Sequence, residues 1–143
     1  MKIIKKVLAI LLAMVTLLSF SFNVFALSED ENVKEEAGLF YLYTSSVSSN
    51  ISISSKTATC NSVVTGIIGT TTKIVITQRL QKKNGDSWTN VQSWTKTVSG
   101  YTTSFTNKKS SLASGTYRTR TVAKVYKGTA YETITVNSKT ATC

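Results

Sequence analysis

The chain has 143 residues, with 17 Lys or Arg against 7 Asp or Glu, and it contains no histidine and no proline. Without histidine it lacks the usual general base of hydrolytic triads and the commonest zinc ligand, and no glycine cluster resembles a phosphate-binding loop, so we expect no catalytic, metal or cofactor site. The net charge of +10 predicts attraction to anionic partners.

Residues 1–26 are predicted to be a secretory signal peptide. Three lysines precede an apolar run over residues 7–22, and Val24 and Ala26 supply small residues before the expected cleavage point. The alternative is an uncleaved anchor, because about 16 apolar residues fall just short of the roughly 20 that span a bilayer. We therefore expect a secreted, extracellular product, either free or associated with the cell wall, without stable membrane insertion after cleavage.

Charge is distributed unevenly along the rest of the chain. Residues 27–36 carry five carboxylates against one lysine, whereas residues from Ala37 onward carry thirteen Lys and Arg against only Asp86 and Glu132, a net of +11. We expect an acidic, disordered leader over residues 27–38, with a propeptide or an internal shield as the alternatives. Residues 39–143 are predicted to form one domain.

The first part of that domain contains short β-type patterns. Leu39 to Tyr43 is apolar and aromatic, which suits either an edge strand or a helical remnant of the leader. Ile51 to Ser54 alternates, and the following Thr-Ala-Thr-Cys continues the pattern, which predicts one strand over residues 51–60. Gly66 and Gly69 then turn the chain.

The strongest local signal is the stretch from Lys73 to Thr97, where two runs of β-branched and aromatic residues flank Asn84-Gly85. Asn-Gly between such runs predicts a β-hairpin, because both residues tolerate a positive φ. The turn also decides where two tryptophans lie. A two-residue turn at Asn84-Gly85 places Trp88 and Trp94 away from the isoleucine face as a possible glycan-stacking platform, and a glycine bulge places them on the core face. We expect at least one to be buried.

Three further strands are predicted after the hairpin. Residues 101–106 form a short strand that ends at a turn over residues 107–110, residues 115–126 form a long strand, and residues 131–136 return from a turn at Lys127-Gly128-Thr129. In the long strand the arginines and Lys124 alternate with residues suited to a core. About seven strands with no helical period predict an all-β fold, an antiparallel β-sandwich.

A family resemblance supports that architecture. Leu112-Ala113-Ser114-Gly115-Thr116-Tyr117-Arg118-Thr119 resembles the tyrosine-corner entry to the penultimate strand of immunoglobulin-like and fibronectin type III domains. The chain also resembles an uncharacterised family of small secreted proteins of Gram-positive Firmicutes, over most of residues 51–136 and especially at Leu80-Gln81-Lys82-Lys83, Trp88, Val91, Trp94 and Gly115-Thr116-Tyr117-Arg118. These resemblances imply fold and export but no functional residue. Thr119 stands where immunoglobulin domains usually have their second cysteine, so their inter-sheet disulfide is not expected.

An internal repeat ends in the only two cysteines. Residues 51–60 recur as residues 134–143, and the last six positions, Ser-Lys-Thr-Ala-Thr-Cys, are identical. In a secreted chain two cysteines predict a disulfide. An internal Cys60–Cys143 bridge is favoured, and a disulfide-linked dimer through the terminal Cys143 or two free thiols are the alternatives.

The function predicted from these features is binding rather than catalysis. Asp86 and Glu132 are the only carboxylates beyond the leader, and nothing in the sequence pairs them as a glycosidase requires. We expect an extracellular module whose basic residues meet an anionic cell-wall polymer, a glycan or a protein partner; the residues chosen are Arg79, Lys82, Lys83, Arg118, Arg120 and Lys124.

Two other interpretations of the charge stay open at this point. One is a cationic antimicrobial or toxin-like factor that acts on anionic membranes, although no amphipathic helix supports it. The other is ordinary solubility, with lysines protecting strand edges from aggregation. Nucleic acid is not expected as a partner, because export removes the protein from it.

Overall fold

The computed structural model describes residues 41–143. The predicted signal peptide, the acidic leader and the first two residues of the predicted domain therefore lie outside the described residues. From residue 41 onward the chain forms strands and turns without a helix. Accordingly, this part of the chain offers no helix that could cross a membrane.

Eight strands build two antiparallel sheets. They are β1 (Thr44–Ser54), β2 (Thr57–Gly66), β3 (Lys73–Asn84), β4 (Ser87–Ser99), β5 (Thr102–Lys109), β6 (Thr116–Lys127), β7 (Ala130–Asn137) and β8 (Ala141–Thr142). One sheet has the order β1-β2-β5, and the other has the order β4-β3-β6-β7 with β8 also pairing with β6. This confirms the predicted all-β, immunoglobulin-like antiparallel sandwich of about seven strands.

The single strand predicted over residues 51–60 is wrong, because the chain turns back on itself in the middle of it. Ser55 and Lys56 have φ values of 47° and 58°, and Ser54 pairs with Thr57 across them. Two consecutive positive φ values define the type I′ hairpin turn. Ser-Lys lacks the asparagine or glycine that normally signals such a turn, so alternation alone could not reveal it.

The β3–β4 hairpin exists as predicted, but both predicted registers are wrong. Asn84 pairs with Ser87, so the turn residues are Gly85 and Asp86, and a register shift between Leu80 and Gln81 leaves Val91 as the extra residue on β4. A bulge moves every later side chain to the other face. As a result, the two tryptophans of β4 lie on opposite faces of the sheet.

The turn predicted over residues 107–110 is also wrong, since β5 continues to Lys109. Asn107 pairs with Cys60 and Lys109 with Ala58 across the ladder to β2. Asparagine and lysine are poor strand formers by propensity, but pairing with a central strand outweighs that preference.

The sandwich core consists of two apolar clusters. One contains Val64, Ile74, Ile76, Ala123, Val125 and Ile134; the other contains Ala58, Cys60, Leu80, Leu112 and Tyr117. A buried polar layer, formed by Ser49, Ser62, Gln78 and Thr121, occupies the strand positions between them. Its members bond to one another: the Gln78 amide donates to Ser62 Oγ at 2.7 Å, and Ser62 Oγ lies 2.7 Å from Thr121 Oγ1. The core therefore combines apolar burial with satisfied polar groups.

The tyrosine corner predicted at the start of β6 is present. Tyr117 is 1% exposed, and its hydroxyl donates to the Ala113 carbonyl oxygen at 2.6 Å. This bond ties the connection before β6 to the core of the sandwich.

The predicted internal disulfide between Cys60 and Cys143 is wrong, because both residues are free thiols. Cys60 points into the core from β2 and is fully buried. Cys143 is held by paired backbone bonds to Gly115, and its Sγ lies 3.8 Å from the Leu112 carbonyl oxygen. The two sulfurs therefore belong to one cluster without being joined. A disulfide-linked dimer through Cys143 stays a prediction.

Candidate anion-binding face

The outward side of the five-stranded sheet carries a concentration of positive charge, which we call the basic face. Side chains alternate across each strand, so the core residues of β3 and β6 take one parity and most of the basic residues take the other. The basic residues of this face are Lys73, Arg79, Lys83, Arg118, Arg120 and Lys124.

All three arginines of the described residues lie next to one another on this face. Arg79 on β3 is the direct cross-strand neighbour of Arg120 on β6, and Arg118 lies two residues earlier on β6, about 7 Å away along the strand. Like charges on neighbouring positions repel and destabilise a sheet. The cluster therefore has an unfavourable self-energy that an anion would relieve.

The Arg120 side chain has an unsatisfied polar group within this cluster. Its Nε is buried and has no hydrogen-bond partner among residues 41–143. Asn137 of β7 is its cross-strand neighbour on the side away from Arg79. A buried donor without a partner costs free energy, so the Arg120 Nε–H adds an unsatisfied polar group to the arginine cluster.

Arg118, in contrast, is fixed in position by its neighbours. Its Nε donates to Gln81 Oε1 at 2.9 Å, and the Gln81 amide donates to Asn90 Oδ1 at 2.8 Å. The guanidinium carbon lies 4.1 Å from the centre of the Trp88 ring, a cation–π geometry. Burial, together with the charge of Arg120, lowers the pKa of Arg118. With Nε already engaged, the terminal nitrogens are the donors left to meet a ligand.

The opposite end of the basic face pairs lysines with tyrosines. Lys73 Nζ lies 3.9 Å from the centre of the Tyr126 ring, and Lys124 Nζ lies 5.0 Å from that of Tyr131. The two rings are tilted, with their centres 5.1 Å apart. The face therefore combines cations with aromatic surface at both ends.

Neither acidic side chain of the described residues neutralises this face. Asp86 lies in the β3–β4 turn. Glu132 makes hydrogen bonds away from this face: its carboxylate oxygens accept hydrogen bonds from the backbone N–H groups of Leu42 at 2.8 Å and Tyr43 at 2.9 Å. Burial raises the pKa of Glu132, but hydrogen bonds from Thr44 and from the backbone of Leu42 and Tyr43 outweigh it, so the pKa lies below its usual value.

The outward side of the three-stranded sheet has a different chemistry. Its β1 positions are Ser48, Asn50, Ser52 and Ser54, its β2 positions are Thr57, Thr59, Asn61, Val63 and Thr65, and its β5 positions are Thr102, Ser104, Thr106 and Lys108. Only one of these residues is charged. The two faces of the sandwich thus differ sharply: one is basic, and the other is a nearly neutral hydroxyl surface.

The structure brings together most of the predicted binding residues. Five of the six predicted cations lie on the basic face, and Lys82 does not, since its Nζ packs beside Gly115 and 5.9 Å from the Tyr117 ring centre. Of the predicted stacking residues, Trp88 lies on this face, paired with Lys83. Trp94 lies on the inner side and packs against the core cluster of Leu80 and Tyr117, but it is only partly buried. Trp88 is also only partly buried, so the prediction of at least one buried tryptophan is wrong. Both residues lie on β4, an edge strand that the sandwich covers incompletely.

Sequence reasoning missed several members of the face. Lys73 shares the parity of Arg79 on β3 and could have been found from alternation alone. Tyr126 shares the parity of Lys124 on β6 and could likewise have been found from alternation, whereas Tyr131 could have been placed only with the β6–β7 register. Gln81 carries no signal in the sequence, and its role depends on Arg118 being opposite it across the ladder.

No family model and no curated protein matches the chain. The predicted resemblance to a family of small secreted proteins accordingly stays a prediction. Within residues 41–143, no group of three or more His, Cys, Asp or Glu could hold a metal ion.

Proposed function

We propose that this protein is a secreted, non-enzymatic module that binds an anionic polymer of the cell envelope through its basic face. The observation that carries the proposal is the separation of charge between the two sheets. Cations that served solubility alone would cover both outward faces. Here all three arginines lie together on one face, and the other face has a single lysine.

An extended polyanion fits this face better than a small ligand does. The basic residues are spread over β3 and β6, and same-face residues on one strand repeat at about 7 Å. A linear chain with repeated phosphate or carboxylate groups can meet several such positions at once. Arginine can grip each group through two nitrogens, and the lysines add attraction at longer range.

The test compares retention of the mature protein on isolated cell walls, and on polyphosphate and polyglutamate as soluble probes, at increasing salt. The Debye length falls from about 8 Å at physiological salt to about 3 Å at 1 M, so binding through surface charge should collapse. The triple variant R79Q/R118Q/R120Q should weaken binding at least about tenfold, because it removes three charge-assisted contacts. Its thermal midpoint should stay close to that of the parent.

A second triple variant provides the matched control. K56N/K108Q/K109Q removes the same amount of charge from the β1–β2 turn and the end of β5, which belong to the other sheet, and asparagine suits Lys56 because that residue has a φ of 58°. We expect this control to bind nearly as well as the parent. Equal losses in both variants would show that only net charge matters, and retention that survives molar salt would also overturn the proposal.

A further inference from the structure

One end of the sandwich exposes large apolar side chains that the basic face does not use. We call it the apolar tip: Leu42 is 69% exposed, Ile67 38%, Ile68 74% and Tyr101 41%. Backbone bonds show that these residues are neighbours, since the Ile67 N–H donates to the Tyr43 carbonyl and the Gly66 N–H donates to the Tyr101 carbonyl. Such a concentration is unusual on a soluble monomer and marks an interaction surface.

The loop that carries Ile67 and Ile68 is held rigidly. Thr71 Oγ1 donates to the Tyr43 carbonyl and accepts the Ile67 N–H at 3.0 Å, and the Thr71 N–H donates to the Ile67 carbonyl at 2.9 Å. Gly66 permits this packing, because a Cβ there would lie 2.2 Å from Thr71 Oγ1. The fold thus fixes the two isoleucines outward at a defined place instead of leaving them on a loose loop.

The surroundings of the tip are basic and aromatic. The Thr72 N–H donates to the Tyr126 carbonyl, and the Gly128 N–H donates to Thr72 Oγ1, so the β6–β7 turn with Lys127 lies beside the loop. Lys73 follows directly, with Tyr126 and Tyr131 near it. Glu132, the one acidic side chain at this end of the described residues, has both carboxylate oxygens engaged by Leu42 and Tyr43.

We propose that the apolar tip docks shallowly onto the surface of an anionic lipid bilayer. Protruding isoleucines suit the acyl boundary, tyrosines suit the headgroup level, and lysines with long stems reach lipid phosphates. A protein partner for such a convex tip would have to offer a matching apolar pocket with acidic walls, whereas an anionic membrane meets both requirements without one. The two proposals share Lys73, Tyr126 and Tyr131, but this docking depends on the exposed isoleucines of the loop, which the polymer binding does not use.

The experiment is co-sedimentation of the mature protein with vesicles of equal parts phosphatidylcholine and phosphatidylglycerol, and with phosphatidylcholine vesicles. We expect binding to the mixed vesicles and much weaker binding to the neutral ones. The variant I67S/I68S should lower the partition coefficient at least about tenfold, since each isoleucine loses the burial of its side chain. The matched control V91S removes an exposed apolar residue from the distant β4 bulge and should bind like the parent.

Tryptophan fluorescence gives a second readout that does not depend on loss of binding. Trp88 and Trp94 both lie on β4, away from the tip, so the variant I68W should show a blue shift on mixed vesicles that the parent lacks. Vesicle binding that I67S/I68S leaves intact, or that only R79Q/R118Q/R120Q removes, would overturn the proposal. Concentration-dependent self-association that I67S/I68S abolishes would assign the tip to a second copy of the chain and overturn it as well.

Discussion

The guanidinium of Arg118 stacks on the ring of Trp88, 4.1 Å from its centre, and joins the edge of the five-stranded sheet to its arginine cluster. β6 and β4 do not pair directly, because β3 lies between them. The contact between Arg118 and Trp88 connects these two strands across β3. Such a contact contributes about 0.5–1 kcal/mol at a partly exposed position. Its larger effect is to fix the direction in which the arginine's remaining donors point.

The first prediction follows from that contact. A polyanion that binds Arg118 should change the fluorescence of Trp88, because the ligand's negative charge lies next to the cation on its ring and alters the local electric field. We expect W94F to keep the polyphosphate-induced change and W88F to lose it. The opposite pattern would place the ligand away from the basic face. Titration of the two variants, with urea denaturation to verify their folding, checks this.

The second prediction concerns the polar layer between the two apolar clusters. Gln78 donates to Ser62 and to the Phe105 carbonyl, and it accepts from Asn107. The variant Q78M leaves these groups without their partner in the core, so it should destabilise the domain by about 2–4 kcal/mol. Urea denaturation measures this. The control T77V removes only an exposed hydroxyl contact on the same strand and should change stability by less than about 0.5 kcal/mol.

The third prediction is a pH dependence centred on Glu132. Its folded pKa is lowered, so its contribution to stability is present above the unfolded value of about 4.3 and is lost as pH falls through the folded pKa. We expect E132Q to cost about 1–2 kcal/mol at neutral pH and to match the parent in strong acid. Denaturation curves across pH measure the difference. If the free energies of unfolding of E132Q and the parent differed by the same amount at every pH, the prediction that Glu132 titration contributes to stability would be refuted. The variant D86N, in the exposed turn, serves as the control.

The sequence predicted the sheet architecture well because alternation, turn residues and the tyrosine corner are local signals. The tyrosine corner at Tyr117 could be recognised from the residues next to it in the sequence. The failures share a different cause, since they depend on which strands pair. The Ser55-Lys56 turn and the β4 bulge at Val91 are set by the ladders on either side, and no residue type marks them.

The same reasoning explains how much of the basic face could be predicted. Arg118, Arg120 and Lys124 follow from the parity of one strand. Their adjacency to Arg79 and Trp88 requires the register of three strands. The repeat shows most clearly how little a local sequence can predict about pairing. In its first copy Ser-Lys-Thr lies at the hairpin turn between β1 and β2. In its second copy the same three residues only separate β7 from β8, and both of these strands pair with β6.

The fourth prediction tests the state of the cysteines. Burial raises the pKa of the Cys60 thiol, and the side chain is inaccessible, so it should resist alkylation in the native protein. Cys143 is partly exposed and should react. Mass analysis after iodoacetamide should find one modification on the native monomer and two after denaturation. A native mass two hydrogens lighter, with no reactive thiol, would restore the disulfide.

The separation of charge between the two sheets also gives the molecule an electric polarity. A body with cations on one side experiences a torque in the field of a negatively charged surface, so it rotates before it touches. At a surface covered with anionic polymer, the domain would land with its five-stranded sheet against that surface. Its serine- and threonine-rich sheet would then point away from it, and the coated surface would present hydroxyl groups where it had presented anions.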